Sequence, residues 1–245
     1  MKKALITGAN KSIGFETARQ LLRKGYYIYL GSRTPGNGLD AVKKLAAEGL
    51  NEVEAIQIDV SDSGSVKAAR AEIGKRTEVL DVLINNAGIS GGLPQTATEV
   101  DISVFEKVFQ TNVFGVVRVT QAFIDLLKKS PEPRIVNVSS SQGSLTLHSD
   151  PTWKYYNYKG AVYLSSKSAL NMYTINLAYE LRDTPFKVNA VDPGYINTDF
   201  NNHRGTGTVE EAGRRIIKYV TIGADGPTGK YFSEEYNPQT GEIPW

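Results

Sequence analysis

Short apolar runs alternate with amphipathic stretches along the whole of the 245-residue chain. The β-branched and aromatic residues gather in six runs that predict strands, at Ala4–Thr7, Tyr26–Gly31, Val53–Ile58, Val79–Ile84, Arg134–Val138 and Lys187–Val191. Segments of helical length and period separate these runs. Because strands that alternate with helices form βαβ units, we predict one α/β domain over residues 1–245. Its doubly wound parallel sheet of about seven strands has helices on both faces.

The ends of several helices carry their own signals. Glu16–Lys24 stops at Gly25, a residue typical of the position just after a helix. Ser61 is predicted to cap the helix that follows the third strand. The longest helical stretch, Val104–Lys129, stops ahead of Pro131. Loops are expected at 90–100, 141–160 and 195–232, and we expect a substrate to bind at the first two and at 195–215.

Composition and charge exclude several classes of function. The 28 Lys and Arg against 26 Asp and Glu leave a net charge of only +2, so no broad basic face for nucleic acid is expected. With no Cys and two His, we expect no disulfide, no thiolate nucleophile and no metal site. No signal peptide or membrane-spanning run is visible. We expect a soluble, cytoplasmic protein with small-molecule partners.

A glycine-rich turn follows the first predicted strand and opens the first helix. Gly8 permits a tight turn, and Gly14 permits close packing of helix on strand. The N–H groups at the start of the helix and its positive dipole suit a pyrophosphate. The turn predicts a dinucleotide site, with candidate residues Gly8, Asn10, Lys11, Ser12, Ile13 and Gly14.

Two cations indicate which dinucleotide the turn accepts. NAD-binding proteins place a carboxylate at the end of the second strand to bind the ribose 2′-hydroxyl. Here Arg33 stands at that strand end, no carboxylate occurs before Asp40, and Lys11 lies in the glycine turn. Because Arg and Lys together suit a 2′-phosphate, we predict NADP(H) as the cofactor.

Tyr163 and Lys167 are four residues apart in the helical segment Val162–Arg182, so they share one face of the helix. A lysine ammonium beside a phenol favours the phenolate, so we expect the pKa of Tyr163 to be lowered. A tyrosine tuned in this way can exchange a proton with a carbonyl oxygen.

The motifs then follow one another in a set order: the glycine turn, Asn85-Asn86-Ala87-Gly88, Asn137-Val138-Ser139-Ser140, and Tyr163 with Lys167. In this order the chain resembles the short-chain dehydrogenase/reductase family, from Thr7 to about Thr198. The resemblance implies a Rossmann-type fold and a carbonyl-reducing activity.

The resemblance also implies roles for single residues. Tyr163 is the general acid and base, Lys167 tunes it and holds the nicotinamide ribose, Ser140 polarises the substrate carbonyl, and Asn112 orders a water. Further cofactor contacts are implied at Asp59, Val60, Asn86, Ala87, Gly88, Pro193, Gly194 and Thr198.

Two departures from the family pattern stand out. Ser12 replaces the middle glycine of the turn, and we expect it to weaken cofactor binding without abolishing it. Ser140 and Tyr163 are also further apart than in many members, which places an insertion within Ser144–Gly160. Such an insertion is typical of the carbonyl reductase-like branch with the menthone- and salutaridine-type reductases. There it covers a helix face used for assembly, so a monomer is favoured over a dimer.

The substrate pocket has no motif of its own. The candidates are Leu93, Pro94, Trp153, Tyr195 and Phe200. The aromatic residues of the insertion, Trp153 among them, either line the pocket or pack the insertion onto the domain, and packing is favoured for most of them. His148 is interpreted as a surface residue of the insertion.

The favoured function is an NADPH-dependent reductase of a ketone or aldehyde, with Tyr163 as proton donor. One alternative is a non-catalytic NADP(H)-binding regulator, which the presence of Asn112, Ser140, Tyr163 and Lys167 disfavours. Another is an epimerase or dehydratase, which usually needs a larger substrate domain than the residues after Thr198 provide.

Overall fold

The computed structural model describes all residues, 1–245. Seven strands form one sheet: β1 Lys3–Ile6, β2 Tyr27–Ser32, β3 Val53–Gln57, β4 Val82–Asn85, β5 Arg134–Val138, β6 Lys187–Val191 and β7 Lys230–Phe232. Every neighbouring pair is parallel, and the order is β3-β2-β1-β4-β5-β6-β7. The winding reverses between β1 and β4, and in such sheets ligands bind in the crevice at that point.

Eight α-helices cover the sheet: α1 Ser12–Arg23, α2 Pro35–Ala47, α3 Ser63–Gly74, α4 Ile102–Asn112, α5 Phe114–Leu127, α6 Leu145–His148, α7 Ala161–Glu180 and α8 Val209–Val220. Single 3₁₀ turns occur at Ser141–Gly143 and Asp199–Asn201. None of the helices is both long enough and apolar enough to cross a membrane.

The strands bury both of their faces, as parallel strands between two helical layers must. Ala4, Ile6 and Ile28 pack with α1, α2 and α8 on one face of the sheet. Leu5 and Tyr29, which alternate with them, pack with α3, α5 and α7 on the other face. The predicted parallel α/β sheet with helices on both faces is confirmed.

The predicted helix Val104–Lys129 is wrong, because the chain breaks at Val113 into α4 and α5. The two helices have different anchors. The Asn112 side chain is bonded to Ile89, whereas Gly115 lies directly against Val60. Apolar periodicity runs through the break, so it cannot reveal the change of direction.

The prediction of a loop over 195–232 is also wrong, because α8 and β7 lie inside it. Thr208 and Glu211 form a capping box at the start of α8, and the buried face carries Ala212 and Ile216. This capping signal is readable in the sequence, although the predicted loop does not take it into account. Ser61 is not the cap of α3 either, since Asp62 accepts the bond from the Ser65 N–H, at 2.7 Å.

Candidate active site

A cleft of about 1090 Å³ opens at the carboxyl ends of the central strands. Its lining includes every cofactor residue expected from the sequence except Gly194, namely Gly8, Asn10, Lys11, Ser12, Ile13, Gly14, Arg33, Asp59, Val60, Asn86, Ala87, Gly88, Tyr163, Lys167, Pro193 and Thr198. The parallel strands bring these distant segments to one edge of the sheet.

The two turns that follow β1 and β4 are fitted against each other. Gly8 has φ +63°, and a Cβ there would lie 3.0 Å from the Ala87 Cα. A Cβ on Gly14 would lie 2.5 Å from the Asn86 Nδ2 and 2.6 Å from the Gly8 carbonyl oxygen. The Asn86 amide donates to the carbonyls of Thr7 and Gly8, at 2.9 and 3.1 Å. Both glycines are therefore required by close backbone approach.

Ser12 occupies a conformation that favours glycine. Its φ is +51°, in the left-handed region that L-residues other than Gly rarely adopt. The residue also lines the cleft. The departure from the family pattern thus carries a backbone strain of about 1 kcal/mol, which the sequence alone did not show.

The two predicted phosphate-binding cations differ in their surroundings. Arg33 lines the cleft and makes no ion pair within the chain. The Lys11 Nζ, in contrast, lies 2.8 Å from the Asp199 carboxylate, which also contacts His203. Lys11 bridges the glycine turn and the loop after β6, and does not stand free beside Arg33.

Asp59 and Val60 line the cleft beyond β3. The Asp59 Oδ1 accepts bonds from the N–H and the hydroxyl of Ser61, at 2.9 and 2.6 Å. Its own N–H donates to the Ser65 hydroxyl at 2.8 Å. Ser61 therefore orders the turn that presents Asp59.

Tyr163 and Lys167 lie on one face of α7 and enter the cleft from the side of β5. The Lys167 Nζ is 5.7 Å from the centre of the Tyr163 ring and donates to the Val138 carbonyl at 2.8 Å. The rings of Phe200 and Tyr163 pack in a T-shaped arrangement, with ring centres 5.5 Å apart. The Tyr163 phenol, the Lys167 ammonium and the Phe200 ring therefore lie close together in the cleft.

The electrostatics of this pair differ from the expectation. Burial raises the pKa of Tyr163 above its usual range, and the nearby Ser140 side chain opposes that rise only in part. Burial lowers the pKa of Lys167 to about 8. Desolvation dominates at Tyr163, so the prediction of a lowered tyrosine pKa is wrong. At neutral pH the phenol is protonated.

The two serines after β5 have different environments. The Ser139 hydroxyl is buried and donates to the Asn171 Oδ1 at 2.6 Å. The Ser140 side chain is close enough to the Tyr163 phenol to oppose the rise in its pKa, and the Ser140 carbonyl accepts a bond from the Tyr231 hydroxyl. This arrangement favours Ser140 as the serine that acts with Tyr163, although Ser139 is the one that lines the cleft.

Asn112 is buried at the break between α4 and α5. Its amide accepts from the Ile89 N–H and donates to the Ile89 carbonyl, both at 2.9 Å. It also bonds to the Ser166 hydroxyl at 3.0 Å, which ties the loop after β4 to α7. Its side chain thus holds the walls of the cleft together and does not line them.

The expected substrate residues are divided by the structure. Phe200 lines the cleft, whereas Leu93, Pro94 and Tyr195 lie outside the lining, and Leu93 is 49% exposed. The wall opposite α7 is formed by Ser90–Gly92, just before the expected pair. The sequence located this loop, but it could not tell which of its residues turn inward.

Trp153 is buried in a small cluster with Leu147, Ala190, Tyr231 and Ile243. It therefore packs the insertion onto β6, β7 and the final segment of the chain, and does not line the cleft. The packing of this one residue does not test the expectation of a monomer. The oligomeric state stays a prediction.

Asp192 was not singled out from the sequence. It follows β6 and is buried, and burial raises the pKa of its carboxyl. The carboxylate accepts from the Ser233 hydroxyl at 2.7 Å and from the Gly194 N–H at 3.0 Å. Asp192 does not line the cleft, but the lining includes polar loop positions that the sequence did not reveal, such as Ser32, Thr34, Asn37, Gln110, Thr111 and Asn201.

A doubly wound parallel sheet with a glycine turn after β1 and a tyrosine–lysine pair on α7 defines an oxidoreductase that binds a dinucleotide. The family model for short chain dehydrogenases matches residues 2–208. The chain belongs to this family, as the resemblance predicted.

The chain is similar over most of its length to several reductases and dehydrogenases. It is 33% identical to (−)-isopiperitenone reductase of Mentha piperita, across 95% of this chain and 96% of that protein. It is 36% identical to the short-chain dehydrogenase anuI of Penicillium roqueforti, across 90% and 88%.

Solved structures of similar proteins support the same family assignment. An NADPH-bound carbonyl reductase from chicken fatty liver has a TM-score of 0.85 at 27% identity, covering 100% of this chain and 99% of that one. Salutaridine reductase from Papaver somniferum has a TM-score of 0.83 at 29% identity, covering 95% and 100%. The predicted carbonyl reductase-like branch is confirmed.

Proposed function

We propose that this protein reduces the carbonyl group of a ketone or aldehyde with NADPH, and that Tyr163 donates the proton. The observation that carries the proposal is that Tyr163 and Lys167 line one wall of a cleft whose other end is a glycine turn, with the Ser140 side chain near the Tyr163 phenol. The hydrogen bonds of Asn112 and Lys167 and the nearness of Ser140 to Tyr163 support catalysis over the alternative of a non-catalytic regulator.

The cleft fits NADP(H). Gly8 and Gly14 let the turn after β1 pack against the turn after β4, and this packing shapes the start of α1, where the free N–H groups suit a pyrophosphate. Arg33 lines the cleft without a protein partner and is suited to a 2′-phosphate. Lys167 and Thr198 would hold the nicotinamide end. The cofactor supplies the hydride when bound.

Residues of the chain stabilise the negative charge that develops on the substrate oxygen. Ser140 and Tyr163 both donate hydrogen bonds to the carbonyl oxygen, which stabilises negative charge there. The raised pKa keeps Tyr163 protonated at neutral pH, so the phenol can transfer its proton to the alkoxide. Phe200 covers the ring of Tyr163 and restricts access of water.

Lys167 has two functions in this proposal. Its bond to the Val138 carbonyl fixes the ammonium beside Tyr163. Its positive charge favours the phenolate that is left after proton transfer. Because its pKa is lowered to about 8, we expect the cofactor-free enzyme to lose this charge at mildly alkaline pH.

The test follows loss of nicotinamide absorbance against a panel of aldehydes, ketones and quinones, with NADPH and separately with NADH. Tyr163→Phe should lower kcat by about 10²- to 10⁴-fold, the range for loss of a general acid, while NADPH still binds. Tyr179→Phe is the matched control, because Tyr179 lies on the same helix and is 67% exposed. Near-normal turnover in Tyr163→Phe contradicts the mechanism, and preference for NADH contradicts the role of Arg33.

A further inference from the structure

The helix that carries Tyr163 and Lys167 begins without a side-chain cap of its own. Residue Gly160 precedes α7 and has no side chain to accept the first N–H groups. Those N–H groups have no partner within a helix and need an acceptor when they are buried. The acceptor here comes from a distant part of the chain.

Gln95 supplies it. Its backbone carbonyl accepts from the Ala161 N–H at 3.0 Å. Its side-chain Oε1 accepts from the Val162 N–H at 3.2 Å and from the Tyr163 N–H at 3.0 Å. Gln95 lies 68 positions before Tyr163 and nevertheless caps the first turn of α7.

The other end of the same amide holds the opposite wall of the cleft. The Gln95 Nε2 donates to the carbonyls of Ser90 and Gly92, both at 2.7 Å. Both of these residues line the cleft. The side chain is 4% exposed and uses both its donors and its acceptor.

The residues around the Gln95 amide leave little space beside it. A Cβ on Gly160 would lie 3.3 Å from the Gln95 Oε1, and a Cβ on Gly91 would lie 3.2 Å from its Nε2. Glycines therefore stand at both ends of the side chain. A shorter or differently shaped residue cannot reach both groups of partners.

We infer that Gln95 is a positioning residue, which caps the helix of Tyr163 and fixes the Ser90–Gly92 wall at a set distance from it. The inference rests on the proposed function, since it concerns placement of the proposed proton donor. It acts through the Tyr163 backbone and touches no reacting atom. Small misplacement of a reacting group costs large factors in rate, so the effect should be on turnover.

Two variants separate the two ends of the amide. Gln95→Leu removes every side-chain bond and should lower kcat about 10-fold or more, because the tyrosine is no longer held. Gln95→Glu keeps an acceptor for α7 and loses the paired donors to the wall. It should therefore keep kcat within about 3-fold and raise KM for the carbonyl substrate. NADPH should bind both variants with near-normal Kd.

Gln20→Leu is the matched control. Gln20 is a partly buried glutamine that also makes two bonds, both at 2.9 Å, to Glu16 and to the Glu210 carbonyl, away from the cleft. It should lose stability without a change in kcat or KM. Equal loss of kcat in Gln95→Leu and Gln20→Leu would overturn the inference, since it would indicate a general loss of fold.

Amide hydrogen exchange decides the inference independently of turnover. The Val162 and Tyr163 N–H groups should exchange faster in Gln95→Leu than in the wild type, and near the wild-type rate in Gln95→Glu. Unchanged exchange together with unchanged kcat and KM in Gln95→Leu would refute it. If Tyr163→Phe retains turnover, the proposed function fails, and the exchange result alone then decides whether Gln95 caps the helix.

Discussion

The proposed cofactor side of the cleft, around the glycine turn, and its proposed substrate side, around the loop after β6, are held by different kinds of contact. On the cofactor side, backbone meets backbone, as where Gly8 approaches Ala87 and Gly14 approaches the Gly8 carbonyl. On the substrate side, the insertion, the loop after β6 and the final segment are joined through side chains. Glu235 is the clearest case, since it accepts from the Lys154 ammonium at 2.8 Å and from the Tyr155 hydroxyl and the Tyr195 N–H at 2.5 Å.

The final residues of the chain complete the substrate side. The Trp245 ring stacks on Tyr231 with centres 5.1 Å apart, and the Trp245 carbonyl accepts from the Thr146 N–H. Tyr231 in turn donates to the Ser140 carbonyl. The segment that carries the proposed catalytic serine therefore rests on the insertion and the C-terminal residues together.

This difference in contacts explains why the sequence shows motifs for the cofactor side and none for the substrate side. A backbone approach demands glycine at a fixed position, so it leaves a short pattern in the sequence. A buried aromatic residue, or a side chain with several hydrogen-bond partners, requires only that residues distant in the sequence fit around it. Such a contact leaves no short pattern in the sequence. The cofactor side should therefore respond to changes at single glycine-type positions, and the substrate side to loss of packing.

The largest effect is expected at Trp153. Trp153→Ala should destabilise the protein by about 3–5 kcal/mol, because it removes a large buried side chain from the cluster under the insertion. Urea unfolding measures this directly. Trp153→Phe should cost much less, since the indole Nε1 is buried without a partner and its removal leaves no polar group unpaired. A cost equal to that of the exposed control Tyr179→Ala would contradict the packing role.

A smaller effect is expected on the cofactor side at Arg33. Arg33→Ala should weaken NADPH binding by about 10- to 100-fold, the equivalent of one charge-assisted hydrogen bond of about 1.5–3 kcal/mol. NADH binding should change little, because it lacks the 2′-phosphate. Titration of both cofactors checks this, with Arg23→Ala as a control on an exposed ion pair remote from the cleft. An equal loss for both cofactors would refute the assignment.

Ser12→Gly tests backbone strain in the glycine turn. Relief of the positive φ should stabilise the protein by about 1 kcal/mol, reduced by the extra freedom of glycine in the unfolded chain. NADPH should bind more tightly, because the hydroxymethyl group is removed from the cleft. Thermal unfolding and NADPH titration measure the two effects. Unchanged binding would remove Ser12 as a source of weak affinity.

The smallest expected effect is on the pH dependence of stability, through His148 in the insertion. Burial lowers the pKa of His148 to about 4, from the usual 6.5. Between these values the unfolded chain binds a proton that the folded chain does not, so stability falls as the pH falls from 6.5 towards 4. Urea midpoints at pH 7 and pH 5 should differ less in His148→Asn than in the wild type or in the control His203→Asn. An unchanged difference would rule out His148.

Several elements could be predicted because their signals are local. The strands Arg134–Val138 and Lys187–Val191 were placed at their observed bounds, and the other predicted strands were displaced by up to three residues at an end. Helix α8 was missed although its capping box is local. The break at Val113 could not be predicted, because it is set by contacts of Asn112 and Gly115 with other segments.

The sequence by itself determined the alternation of strands and helices, the glycine turn and the placement of Tyr163 beside Lys167. Each of these depends on residues a few positions apart, so periodicity and backbone conformation suffice to read it. Only the tertiary structure decided that Gln95 caps α7, that Lys11 pairs with Asp199 and that the pKa of Tyr163 is raised. These facts depend on burial and on partners dozens of residues away, which no local pattern encodes.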